Sequence, residues 1–209
     1  MRSKYKAHEA AILVNITVDV QKDWNKRAEK AALRRLGTGN GHREYTLVDL
    51  CFFKLIDVLK SGGVPLWMAL TGTLYEHDEF DKALLKHPAT ANIRERLFRA
   101  FASEILGYET DSDVMLYVPQ SGATKTMFTW YLSARLGTDG KSIAGADRDV
   151  TLDKVYDDMQ AADNVFVVNI TRLTKRLITH IQENGENLLA FADALPAVID
   201  AFNGEADGK

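Results

Sequence analysis

Cysteine is almost absent from this chain. Cys51 is the only one in 209 residues, which excludes an internal disulfide and any Cys-rich zinc site. Four prolines and 14 glycines exclude collagen-like and low-complexity classes. No apolar run reaches the roughly 18 to 20 residues that span a bilayer. The first residues are basic but lead into His8 and Glu9 rather than a secretory apolar stretch. A soluble cytoplasmic protein without a membrane partner is the expectation, so the triplets starting at Asn15 and Asn169 carry no glycosylation meaning. What remains is ordinary globular composition, 46% hydrophobic and 26% charged, enough for a proper core in one large domain or two small ones.

The net charge of −3 hides an asymmetry. Residues 1–60 carry 12 Lys/Arg against 7 Asp/Glu, a balance of +5, and residues 61–209 carry 14 against 22, a balance of −8. A basic first third suggests a module that meets a polyanion, joined to one that does not.

Patterning divides the chain in a similar way. Residues 4–14 read as a short helix with Ala7, Ala10, Ala11 and Val14 on its buried stripe. Asn15 suits the turn that ends it, because Asn tolerates the left-handed conformation. Thr17 caps a second helix running to Arg27 or beyond. Three glycines between Leu36 and Gly41 break the chain, and residues 43–45 have the length of a short strand. Thr46 and Asp49 form a capping box for a helix that is apolar on two faces, which means deep burial or a covering partner. Gly62 and Gly63 stop that helix, and Pro65 suits the first turn of the next. Helical patterns continue to Leu85 and over residues 92–106. After Gly107 the character changes. Residues 114–118 read as a strand ending at Pro119, residues 127–132 as an aromatic-rich strand, and residues 165–168 as the best strand in the chain. Helices are expected from Thr151, over 171–183 and over 187–202.

The fold class is therefore α+β: an N-terminal winged helix-turn-helix head (residues 1–75), a helical connector (76–106) and a mixed α/β module for dimerisation or effector binding (107–209). Two short helices joined by a tight turn are a common DNA reader, with the second helix entering the major groove. Ala10 and Ala11 are small where the helices cross, Ile16 plugs the turn, and Trp24 anchors the second helix as a core residue. Thr17, Val18, Asp19, Gln21 and Lys22 lie near the helix start, the last four facing outward where base edges would be. Lys26, Arg27, Arg34 and Arg35 supply phosphate-pairing charge. A glycine-rich hairpin carrying His42 and Arg43 forms a wing.

These residues resemble the winged-helix head of the MerR-type transcriptional regulators. The likeness runs through Ala11-Ile12-Leu13-Val14-Asn15-Ile16-Thr17, Trp24-Asn25-Lys26-Arg27 and Gly41-His42-Arg43-Glu44-Tyr45-Thr46-Leu47, and covers roughly residues 4–75. In that family the wing carries a Gly-aromatic-Arg-x-Tyr signature; His42 takes the aromatic position, while Arg43 and Tyr45 match. The resemblance implies a sequence-specific double-stranded DNA-binding regulator, nucleoid-associated, working as a homodimer and without catalytic activity. Gln21 departs from the pattern, standing where the family has an apolar residue. So do the longer segment 28–36, the missing dimerisation coil and the missing metal-sensing cysteines.

Two other readings stay open: an excisionase-like or architectural DNA-binding protein, and a ligand-binding or enzymatic C-terminal module carried by a DNA-targeting head. A small-molecule effector of unknown identity belongs with either regulator reading. The bland readings prevail elsewhere. Cys51 is a small hydrophobe on an apolar face. His77 and Asp81 sit on a solvated acidic face rather than a metal site. Residues 121–126 lack the first glycine and the Gly-Lys pair of a phosphate loop. No catalytic set, metal site or cofactor is expected. Dimerisation is assigned to the region after Gly107, where Leu188, Leu189, Phe191, Leu195, Ile199 and Phe202 supply the apolar surface.

Overall fold

The computed structural model describes residues 4–39, 43–74, 93–105, 107, 113–120, 130–132, 157 and 160–183. Among them are six helices and two small antiparallel sheets, a mixed α/β architecture.

The chain enters through β1 (Tyr5–Lys6) and turns at once into α1 (Ala7–Val14). The expected helix from residue 4 therefore starts three residues late. Tyr5 and Lys6 pair instead with Tyr45 and Glu44, and a strand pairing between distant residues outweighs local helical patterning. Asn15 ends α1 in the left-handed conformation, at φ 61° and ψ 47°. Thr17 then caps α2 (Val18–Lys30), its Oγ1 accepting from the Val20 N–H at 3.2 Å. β2 (Glu44–Tyr45) leads into α3 (Leu47–Ser61) through the full capping box: Asp49 N–H donates to Thr46 Oγ1, and Asp49 Oδ2 accepts from the Thr46 N–H at 2.8 Å. Pro65 immediately precedes α4 (Leu66–Leu74), and its carbonyl accepts from the Ala69 N–H.

Both apolar faces of α3 are buried within the chain. Leu50, Cys51, Phe52, Phe53, Leu55 and Ile56 are all 0 or 1% exposed. Phe53 stacks between Trp24 and Tyr45, and Phe52 meets Phe101 edge-on at 5.3 Å on α5 (Ile93–Ile105). Cys51 is sealed among these residues, and burial pushes its thiol far above the ordinary range.

The second sheet has the order β4-β3-β5, with β3 Met115–Gln120, β4 Tyr131–Leu132 and β5 Asn164–Asn169. β3 and β5 pair over six residues, from Met115 opposite Asn169 to Gln120 opposite Asn164. The expected end of β3 at Pro119 is overturned, because Pro119 pairs with Val165 inside the strand. Pro119 thus keeps its place in β3 although it has no N–H to donate; the described pairs of β3 with β4 are at Leu116 and Tyr117. The expected strand over 127–132 survives as β4, and residues 127–129 lie outside the described residues. α6 (Ile170–Glu183) follows β5 without a loop, and the Asn169 side chain accepts from the Arg172 N–H at 2.8 Å.

One buried cluster runs from Tyr5 to Ile181 without interruption. Two glycines make that continuity possible. A β-carbon on Gly62 would run into the Phe166 ring, and one on Gly72 into the Trp130 ring. Aromatic rings from the sheet thus rest directly on the backbone of the N-terminal helices. Of the helix expected from Thr151, residues 157, 160 and 161 are described and helical; the helices expected over 187–202 and beyond Leu74, with the surface around Leu188 and the segments 76–81 and 121–126, lie outside the described residues.

Candidate nucleic-acid interface

The α1–turn–α2 unit is fastened from several sides. Asn15 N–H donates to the Ile12 carbonyl, and Ile16 N–H to the Ala11 carbonyl. Ala10 and Ala11 are buried where the helices meet, and Ile16 packs on the core. Trp24, 3% exposed, is the anchor its position suggested.

Gln21 corrects the expectation that it faces outward, for it is 1% exposed. Its amide fits between the turns of α1, donating to the Ala7 carbonyl and accepting from the Ala11 N–H, each at 3.0 Å. A buried amide satisfied at both ends fixes the crossing of two helices more narrowly than an apolar side chain does. This also explains how Gln21 occupies a position where the resemblance leads one to expect an apolar residue. It is part of the core, and reads nothing.

Tyr45 is also corrected. It is 3% exposed, and its hydroxyl accepts from Asn25 Nδ2 at 3.4 Å. Asn25 is itself buried and takes the Leu36 N–H on its other side. Burial raises the Tyr45 hydroxyl above its ordinary value, against an opposing pull from the neighbouring Arg43 guanidinium. Tyr45 therefore holds β2 against α2 and has no route to a surface ligand.

The rest of α2 does face solvent. Asp19, Lys22, Lys26 and Arg27 are exposed, and Val18 is half-buried. Lys22, Lys26 and Lys30 recur every fourth residue and make one stripe along the outer face. Lys30 was missed by the sequence reading, although its spacing from Lys26 was the available signal. Among the described residues Lys26 and Lys30 have no acidic partner within 4 Å, whereas Arg27 binds Asp23 at 2.8 Å and Arg35 binds Glu29 at 3.1 Å. Lys22 lies 4.0 Å from Asp19, both widely exposed, and such a pair is worth little in water. Arg34 is exposed beside this stripe, its backbone N–H tied to the Leu74 carbonyl at the end of α4.

Beside α2 stands a ribbon. Glu44 is paired with Lys6 on one side and with Thr38 on the other, through hydrogen bonds of 2.8 and 3.0 Å between the Thr38 and Glu44 backbones. Thr38 and Glu44 therefore lie antiparallel side by side at the edge of the β1–β2 sheet. Lys4 reaches over to Thr38 and Glu44. Arg43 is half-buried against Tyr45, with Nη1 shielded and without a hydrogen-bond partner. His42 lies outside the described residues.

Comparison with known protein families and with curated proteins finds no match for this chain. Among the described residues no group of three or more His, Cys, Asp or Glu is placed to hold a metal ion, and no helix is long and apolar enough to cross a membrane.

Proposed function

We propose that this chain is a double-stranded DNA-binding transcriptional regulator of MerR-like type, which presents α2 to the major groove. The observation that carries the reading is the Lys22–Lys26–Lys30 stripe. It lies on the outer face of a helix whose inner face is locked to α1 by Gln21 and packed on Phe53 of α3 through Trp24. Rigid mounting of a cationic helix is what groove recognition needs, because binding then orders little beyond exposed side chains. The antiparallel bridge between Thr38 and Glu44 supports reading the segment between them as a wing.

The roles divide by chemistry. Lys26, Lys30, Arg34 and Arg35 pair with phosphates and set register, Arg35 after release from Glu29. Asp19 and Lys22, near the start of α2, reach base edges, with Val18 offering apolar contact. Thr17 keeps its structural task as cap. Arg43 contributes from the wing to the phosphate backbone. The functional unit is a homodimer, since one head spans too few base pairs to be specific among competing genomic sites.

The test is a mobility shift with DNA from the gene's own promoter region across a range of salt. Binding should weaken steeply with salt. Lys26→Ala should weaken binding to every sequence alike and lower the salt slope by about one. Binding that ignores salt, or none at all, would remove this reading.

A further inference from the structure

A cleft of about 630 Å³ opens on the side of the molecule where α1, α3, β5 and α6 converge. Its floor is apolar, formed by Leu13, Val58, Val168 and Leu177, with the half-exposed Val167 at its edge. Among the described residues that line it, the charged ones, Lys54, Arg172 and Arg176, are all basic, and His180 joins them. Arg172, Arg176 and His180 recur every fourth residue and make a single basic edge along α6. Two of these groups are held by acids outside the lining: Lys54 by Asp57 at 3.2 Å, and Arg172 by Asp113 at 3.3 Å. Lys54 also donates to the Val14 carbonyl at 3.2 Å, at the end of α1. Arg176 is exposed and has no acidic partner within 4 Å among the described residues.

A volume within the range of small-molecule sites, an apolar floor and a one-sided basic rim specify a ligand class. We infer that this cleft binds a small amphipathic organic anion, a single carboxylate on an apolar chain. The carboxylate pairs with Arg176 and the chain lies along Leu13, Val58 and Leu177. A planar guanidinium without an internal partner is the best-suited cation for a carboxylate, since two parallel hydrogen bonds can form. The apolar floor argues against a nucleic-acid backbone as occupant, which would engage the rim and leave the floor wet. Leu13, Val14 and Asn15 belong to both this cleft and the turn that mounts α2. A ligand here therefore touches the element that sets the direction of α2.

The inference stands apart from the DNA reading, because binding is measured on the full chain without DNA. Titration calorimetry with decanoate, kept below micelle formation, should give saturable one-to-one binding with Kd between about 10 µM and 1 mM. Decyltrimethylammonium, the same chain with a cationic head, should bind at least tenfold more weakly. Arg176→Gln, at an exposed position that leaves the fold intact, should weaken decanoate about tenfold. Val167→Trp, at the edge of the cleft, should abolish its binding. No saturation below 1 mM, equal affinity for the cation, or unchanged affinity in either variant would overturn the proposal. So would loss of salt-dependent DNA binding in Arg176→Gln without any decanoate binding by the parent, which would make the rim a polyanion surface.

Discussion

The helices of residues 4–74 and the three-stranded sheet share one core but are held by different kinds of interaction. In the helical region most fastenings are short in sequence. Thr17 caps three residues ahead, Thr46 and Asp49 clasp each other, and Asn15 turns the chain on its own backbone. β3 of the sheet is instead defined by non-local partners, 14 to 16 residues away on β4 and some fifty away on β5. Even its polar contacts are distant: Thr171 accepts from the Val114 N–H and donates to the buried carboxylate of Glu104. A region built from local signals can shape itself early in folding, whereas one built from non-local pairing needs the rest of the chain in place. The comparison also bears on function. The locally determined region carries the cationic helix, and the basic cleft lies where the two regions meet.

The largest test of the shared core is Phe53→Ala. Its ring is 1% exposed and packs between Trp24 and Tyr45, so truncation should cost about 3–5 kcal/mol. If the two regions unfold as one, urea transitions followed by helix signal and by Trp130 environment should shift together. Separate midpoints would show that the continuous core does not make a single cooperative unit.

Gly72→Ala probes the junction. In an open helix this change stabilises by about 1 kcal/mol, but here the added methyl meets Trp130. Overpacking of about 1–3 kcal/mol should outweigh that gain, for a net loss of up to about 2 kcal/mol. In a Trp130→Leu background the same change should be neutral or stabilising. A loss of equal size there would mean that the ring is not the cause.

Within the helical region Thr46→Ala should cost about 1 kcal/mol, through lost capping at the start of α3. Thermal melts of the variant and of Asp49→Asn compare the two halves of the box. No change in either would show that α3 is held by its packing alone.

The smallest effect concerns alkali. Burial raises the Tyr45 hydroxyl in the folded chain, so below pH about 10 the group is protonated in both states. Above that value the unfolded chain loses the proton first, and stability falls until pH passes the folded value. In that alkaline range Tyr45 alone should account for a small loss of stability. Tyr45→Phe should flatten this part of the profile, and an unchanged slope would assign it to other tyrosines.

The sequence by itself determined the elements whose signals lie within three or four residues of each other. The turn at Asn15, the caps at Thr17 and Thr46, the deep burial of α3 and the strand over 165–168 were all legible, because capping groups and β-branched runs act on the nearest backbone. The solvent-facing lysines of α2 were legible too, apart from Lys30. Only the tertiary structure decided the rest. Tyr5 and Lys6 left the helix because Glu44 and Tyr45 came alongside, and Pro119 stayed in a strand because Val165 of β5 came opposite it. Gln21 turned inward because α1 offers it one carbonyl and one N–H at the right separation. The basic cleft needs Leu13, Lys54, Val167 and Arg176 together, four residues from four elements. No local window contains them, since what a side chain faces depends on which distant element packs over it.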